Sequence, residues 1–317
     1  MPVVTSEQHE ASLAELARSV GDPHAGILGP RSIAWQLGGD LAVFLGGGRA
    51  ALLQLAHPMV AFAVDQHSRT RADVVGRFQR TFRNVFAMVF GELDDALAAA
   101  RRVYRVHTRI HGTIPHEIGA WRAGTPYDAN DVDALRWVHA TLVDTTIAVR
   151  ERLDGALPTA LKDTYIVEMN RFAALFGIPR DRLPDSWLAH EMYMQRMLDS
   201  NEIAVAPCAK EMAMFLIGRA GPQPQPPLGR LAEMLTAAML PEHLARDFGL
   251  TRTRVSAASI SIALAAFAPF YRRLPDRVVA IPARAMASRR IKGKPPSRFA
   301  SWTERQLFGL SRQVTGS

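Results

Sequence analysis

The chain has 317 residues, of which 48% are hydrophobic and 21% charged, with a formal net charge of +8 and a single cysteine, Cys208. That is ample apolar material for a sizeable core and excludes intrinsic disorder. One cysteine excludes an intramolecular disulfide and any cysteine-cluster metal site, and it fits a reducing compartment.

Residues 1–29 read as a polar N-terminal segment. Met1 to Asp22 mixes acids and bases with no apolar stretch, so no secretory signal is expected and the expected location is cytoplasmic. Beyond it helical periodicity dominates, and no run alternates as a strand would. The spacing predicts helices over 48–65, 71–90, 93–111, 131–153, 159–176, 185–198, 206–218, 228–239 and 252–273. The expected fold class is therefore all-α, with one multi-helix domain over 30–285 and a basic tail over 286–317. Gly112 and Gly177 sit where C-terminal glycines belong, and Pro158 precedes the helix from 159. The proline-rich stretch from Gly221 to Gly229 has apolar helices on both sides and reads as a loop within the domain. Ala257 to Tyr271 is the nearest thing to a membrane span. It is short and contains Pro269, so a buried core helix is expected there.

The positive charge concentrates late: Arg284, Arg289, Arg290, Lys292, Lys294 and Arg298, with no acid among them. No nucleic-acid-binding motif accompanies it. A solvated tail is expected, making at most a weak membrane-surface contact and no specific contact with nucleic acid.

The strongest chemical signal is His107-Thr-Arg-Ile-His111-Gly112, at the end of the helix predicted over 93–111. At 100° per residue, Ala96, Ala100, Val103, His107 and Ile110 share one side, and His111 follows His107 by one turn. Arg101, Arg105 and Arg109 fall opposite. Two imidazoles are thus expected to point inward, where each needs a partner. A carbonyl or carboxylate would serve, and so would a metal or haem; spacing alone favours the former. In the preceding helix Phe78, Phe82, Phe86, Val89 and Phe90 form an apolar stripe. Arg77, Arg80, Thr81 and Asn84 share another face, either a solvated side or the polar wall of a pocket, and periodicity favours the solvated side.

Other motifs exclude more than they suggest. Gly46-Gly47-Gly48 lacks the strand and the Lys-Ser/Thr pair of a phosphate loop, and His190-Glu191 lacks the second histidine of a zinc-protease helix. No Gly-x-Ser-x-Gly elbow occurs, and Cys208 has only Lys210 nearby to activate it. His139 is expected as a core histidine, too far round its helix from Asp144 to share a tight site with it.

In order along the chain stand Arg49-Ala-Ala-Leu-Leu-Gln-Leu-Ala-His57-Pro58, His67-Ser68, Arg77-x-x-Arg80-Thr81, Phe90-Gly91, Val103 to His107, and His111-Gly112. Tyr127-Asp-Ala, Trp137-Val-His-Ala-Thr-Leu-Val-Asp144, Gly177-Ile-Pro, Leu183-Pro and Leu240-Pro through Phe248-Gly-Leu follow. In this order and spacing the chain resembles the MpaB-type oxygenase family, which includes the catalytic domain of the latex-clearing rubber oxygenases. The resemblance covers most of residues 30–285. It implies an all-α, globin-like core holding haem b, with His111 as the axial iron ligand and Arg77 and Thr81 as polar residues of the haem pocket. His107 becomes a neighbour of the cofactor. Rubber oxygenases carry a lysine between that Arg and Thr, where this chain has Arg80. A guanidinium stays protonated and has no lone pair to give to iron.

The reading is therefore of a haem b oxygenase acting with dioxygen or peroxide on a hydrophobic, isoprenoid-like substrate, with Arg77, Arg80 and Thr81 as the polar catalytic groups. Two alternatives stand beside it. One is a non-haem metal oxidoreductase with His107 and His111 as ligands and Asp144 or Glu117 completing a triad. The other is a non-catalytic helical binding protein with a basic tail.

Overall fold

The computed structural model describes residues 2–67, 74–219 and 225–295, with the backbone alone over 74–79. Among these residues it is an all-α domain, and its one sheet is a two-stranded ribbon. The first half contains α1 (Ser6–Ser19), α2 (Ile33–Gly38), α3 (Gly47–Leu55), α4 (Pro58–His67), α5 (Val74–Phe90) and α6 (Leu93–His107). The ribbon β1 (His111–Thr113) and β2 (Pro126–Asp128) leads into α7 (Val132–Asp154), α8 (Thr159–Ala174) and α9 (Trp187–Asp199). Then follow α10 (Pro207–Leu216), α11 (Pro227–Met239), α12 (Glu242–Asp247), α13 (Arg254–Tyr271), α14 (Asp276–Val279) and α15 (Pro282–Ile291).

Local chemistry sets several of these boundaries. Thr5 opens α1 with a reciprocal capping box to Gln8, and Asp131 caps α7 by accepting from the Ala134 N–H. Carboxylates reach across the fold to cap two other helices: Glu168 accepts from the Ala34 N–H at 2.7 Å, and Asp163 from the Trp187 N–H at 2.7 Å. The helix predicted over 48–65 is two helices, because Pro58 cannot continue the hydrogen-bond ladder of α3 and instead starts α4.

α7, about 34 Å long at 1.5 Å per residue, is the spine. Its Val143 and Ile147 join a core built from α1, α2, α5, α6, α8 and α15, centred on Trp35, Phe86, Phe90 and Phe172. Its Ala134, Trp137 and Ala140 join a second core from α3, α4, the ribbon and α9 to α12. Trp137 is fully buried and donates its indole N–H to the Leu53 carbonyl at 2.9 Å, so its polar atom is satisfied where its area is hidden.

Two expectations are corrected. The segment 1–29 is not merely a polar flank: Leu13 and Leu16 of α1 sit in the first core, because α1 is amphipathic over three turns. The apolar run 257–271 is not a buried core helix. In α13 only Ile260 and Ala268 are buried, and Val255, Ile262, Phe267 and Phe270 are exposed. The tail from 296 onward lies outside the described residues, as does Gly221 of the proline-rich stretch.

Candidate functional site

α6 stops at His107, not at His111. The Thr108 N–H still bonds the Tyr104 carbonyl at 3.0 Å, but the Ile110 N–H turns back to the His107 carbonyl at 2.9 Å and the chain leaves as β1. There His111 lies opposite Asp128, Gly112 opposite Tyr127 and Thr113 opposite Pro126. Alternation along a strand then governs direction: the side chains of His111 and Thr113 are exposed, and Gly112 faces Tyr127. The expectation of two inward imidazoles on one helical face is thus corrected, because the two residues belong to different elements.

The ribbon holds His111 firmly. Its carbonyl meets Nε2 of His67 at 2.9 Å, and Gln66 donates to the Thr113 carbonyl at 3.2 Å while accepting from the Tyr127 hydroxyl at 2.7 Å. A Cβ at position 112 would lie 2.6 Å from the Tyr127 hydroxyl oxygen and 2.9 Å from Oε1 of Gln66, so the close approach requires glycine. The His111 ring makes no hydrogen bond among the described residues and is open to an external ligand. His107 differs. It is partly buried, and desolvation pushes its pKa down against the opposing influence of Asn130 and Asp128, so the ring is neutral at neutral pH.

α5 and α6 form an antiparallel hairpin around Gly91 and Glu92. Arg102 of α6 donates to Oδ1 of Asn84 of α5 at 3.4 Å across the hairpin. The antiparallel pairing puts the first turns of α5, with positions 77, 80 and 81, beside the last turns of α6 that end at His107. Arg80 and Thr81 are exposed on α5. The side chain of Arg77 lies outside the described residues. The hairpin therefore brings the sequence-predicted polar positions to the same end of the molecule as His107 and His111.

A different cluster escaped the sequence reading. Arg49 of α3 is buried and fully engaged: Nη2 bonds Asp144 at 2.6 Å, Nη1 bonds Thr145 at 2.7 Å and Nε bonds the Met239 carbonyl at 2.9 Å. Nε2 of His190 lies 3.6 Å from the other Asp144 oxygen. Burial raises the Asp144 pKa, but His190 and Arg49 outweigh it and hold the carboxyl below its ordinary range. Asp144 is thereby committed to tying α3, α7 and α9 together. The triad of His107, His111 and Asp144 is excluded, and among the described residues no three His, Cys, Asp or Glu side chains converge as a metal site, Glu117 included. The signal available in the sequence was Arg49, the one charged residue of α3; Asp144 is one of several charges on α7 and does not stand out.

His139 is buried, as expected of a core histidine, and lies 6.3 Å from the ring of Phe172. Cys208 is inert, since burial pushes its thiol up to about 11. A cleft of about 620 Å³ lies between the end of α1, residues 21–31 and Ile291 of α15, and no sequence-predicted site residue lines it.

A family model described as the catalytic domain of the ER-bound oxygenases mpaB/B' and rubber oxygenase matches residues 35–273. No curated protein and no solved structure matches the chain.

Proposed function

The chain belongs to the mpaB and rubber oxygenase catalytic-domain family, and from that premise we propose that it is a haem b-dependent oxygenase of a hydrophobic, isoprenoid-like alkene. The observation that carries the reading is His111, an open imidazole held on a clamped ribbon at the end of the α5–α6 hairpin. The residues present fit the group. An imidazole with uncommitted nitrogens is a suitable donor to iron, Val106 in the last turn of α6 is 57% exposed and apolar, and Thr81 and Arg80 on α5 are hydrogen-bond donors.

When bound, haem b supplies an iron centre that activates dioxygen or peroxide. The protein's part is positioning and charge. His111 would hold the group through a ring nitrogen, and the ribbon fixes the backbone from which that ring projects. Arg80 would act only as a cationic hydrogen-bond donor, stabilising negative charge on a bound group. Thr81 orients a polar atom beside it. His107, neutral and partly buried beside Asn130, would be a neighbour of the group.

The test is oxygen uptake by haem-loaded protein given a short polyisoprenoid alkene, with carbonyl products identified by mass spectrometry. The reading expects carbonyl cleavage products in the wild type and a fall of about a hundredfold in Thr81→Val or Arg80→Leu if both donors act in the transition state. Loaded protein that consumes no oxygen with any alkene would overturn it.

A further inference from the structure

α13 carries sixteen residues, from Val255 to Phe270, without one charge. Its inner stripe, Ile260, Leu264, Ala268 and Tyr271, turns toward the protein, and the Tyr271 hydroxyl bonds Asp40. The opposite stripe is open: Val255 is 75% exposed, Ile262 69% and Phe270 64%. α11 packs beside it with Leu228 77% and Leu231 53% exposed. α13 rests on α7, α11 rests on α3, and α3 and α7 pack together, so both outer faces look away from one underlying layer. Phe215 and Leu216 at the end of α10 extend the surface, since Gln225 ahead of α11 bonds the Ile217 carbonyl. A contiguous apolar face of this kind marks an interaction site.

Charge selects the occupant. Arg254 stands at the start of α13, Arg272 and Arg273 at its end, Arg277 just beyond and Arg230 on α11, all exposed. The only acid on either helix is Glu233, which is buried and paired with Arg219 at 2.9 Å. A second copy seated on this face would bring two arginine rims together, and the acid that follows α13, Asp276, is already paired with Arg284, in a chain of net charge +8. An anionic lipid surface satisfies both the apolar centre and the cationic edge. α13 is apolar enough to cross a bilayer by composition. One side of it is committed to α7, α11 and Asp40, so it lies in the interface plane instead of spanning.

We propose that the α11–α13 face is a peripheral membrane-docking surface that inserts Val255, Ile262, Phe270, Leu228 and Leu231 between anionic headgroups. This surface is distinct from the basic tail. The test is flotation of the full chain with phosphatidylcholine vesicles, with and without phosphatidylglycerol. Binding is expected with phosphatidylglycerol only, weakened at least about tenfold in Ile262→Glu/Phe270→Glu. Arg272→Gln/Arg273→Gln, which leaves the apolar face intact, is expected to weaken it about fivefold per arginine. Circular dichroism checks that each variant is folded. No binding to anionic vesicles, binding unchanged in both variants, or a dimer that the Glu variant dissociates would overturn the proposal.

Discussion

Two buried histidines couple this fold to pH. Burial holds His57 down to about 4 and His139 to about 3, against 6.5 in the free side chain, and Nδ1 of each has no hydrogen-bond partner among the described residues. Above pH 6.5 both are neutral whether the chain is folded or not, and their packing contribution is fully present. As pH falls below 6.5, the unfolded chain takes up protons that the folded chain refuses, so stability drops by about 1.4 kcal/mol per pH unit for each histidine. The loss continues until the folded values near 4 and 3 are reached. Urea midpoints measured between pH 6.5 and 4 are expected to fall steeply in the wild type. His139→Leu is expected to make that slope shallower by one histidine's share, about 1.4 kcal/mol per pH unit, with His9, His57 and His107 still contributing, whereas an unchanged slope would mean His139 does not stay neutral in the folded state.

At the scale of elements, Gly46 and Gly48 at the start of α3 act as spacers. A Cβ at Gly46 would lie 2.4 Å from the Thr145 methyl of α7, and one at Gly48 would lie 2.0 Å from the Thr236 hydroxyl of α11. Gly48→Ala is expected to cost about 1–3 kcal/mol through overpacking. Adding Thr236→Ala should recover most of it, and a non-additive cycle in chemical denaturation is the check. The sequence could exclude a phosphate loop here but not identify the helices that crowd in, because contacts across about a hundred residues leave no local period. The same limit explains the histidines. Periodicity located α6 and its apolar face correctly, yet it carried His111 round the helix, since only the distant β2 segment stabilises the strand that begins there. Arg49 and Asp144 were visible as residues, but their partnership depends on α3 and α7 crossing. α13 was legible as an apolar helix. Which of its faces stays uncovered depends on its neighbours, not on its composition.

At the scale of the molecule, the all-α class and the family were legible because hydrophobic period and motif order are properties of the whole chain. The α7 spine gives the family segment two cores; the α5–α6 hairpin packs into the first and the ribbon, through Tyr127, into the second. The central claim is that His111 there is the axial ligand of a haem. The most direct measurement is titration of haem into the purified chain and into His111→Ala and His107→Ala, followed in the visible region. A saturable Soret band at one haem per chain is predicted for the wild type and for His107→Ala. In His111→Ala the band should be lost or shifted, with affinity weakened at least about tenfold. An identical band and affinity in His111→Ala, or no saturable haem binding by the wild type, would contradict the account.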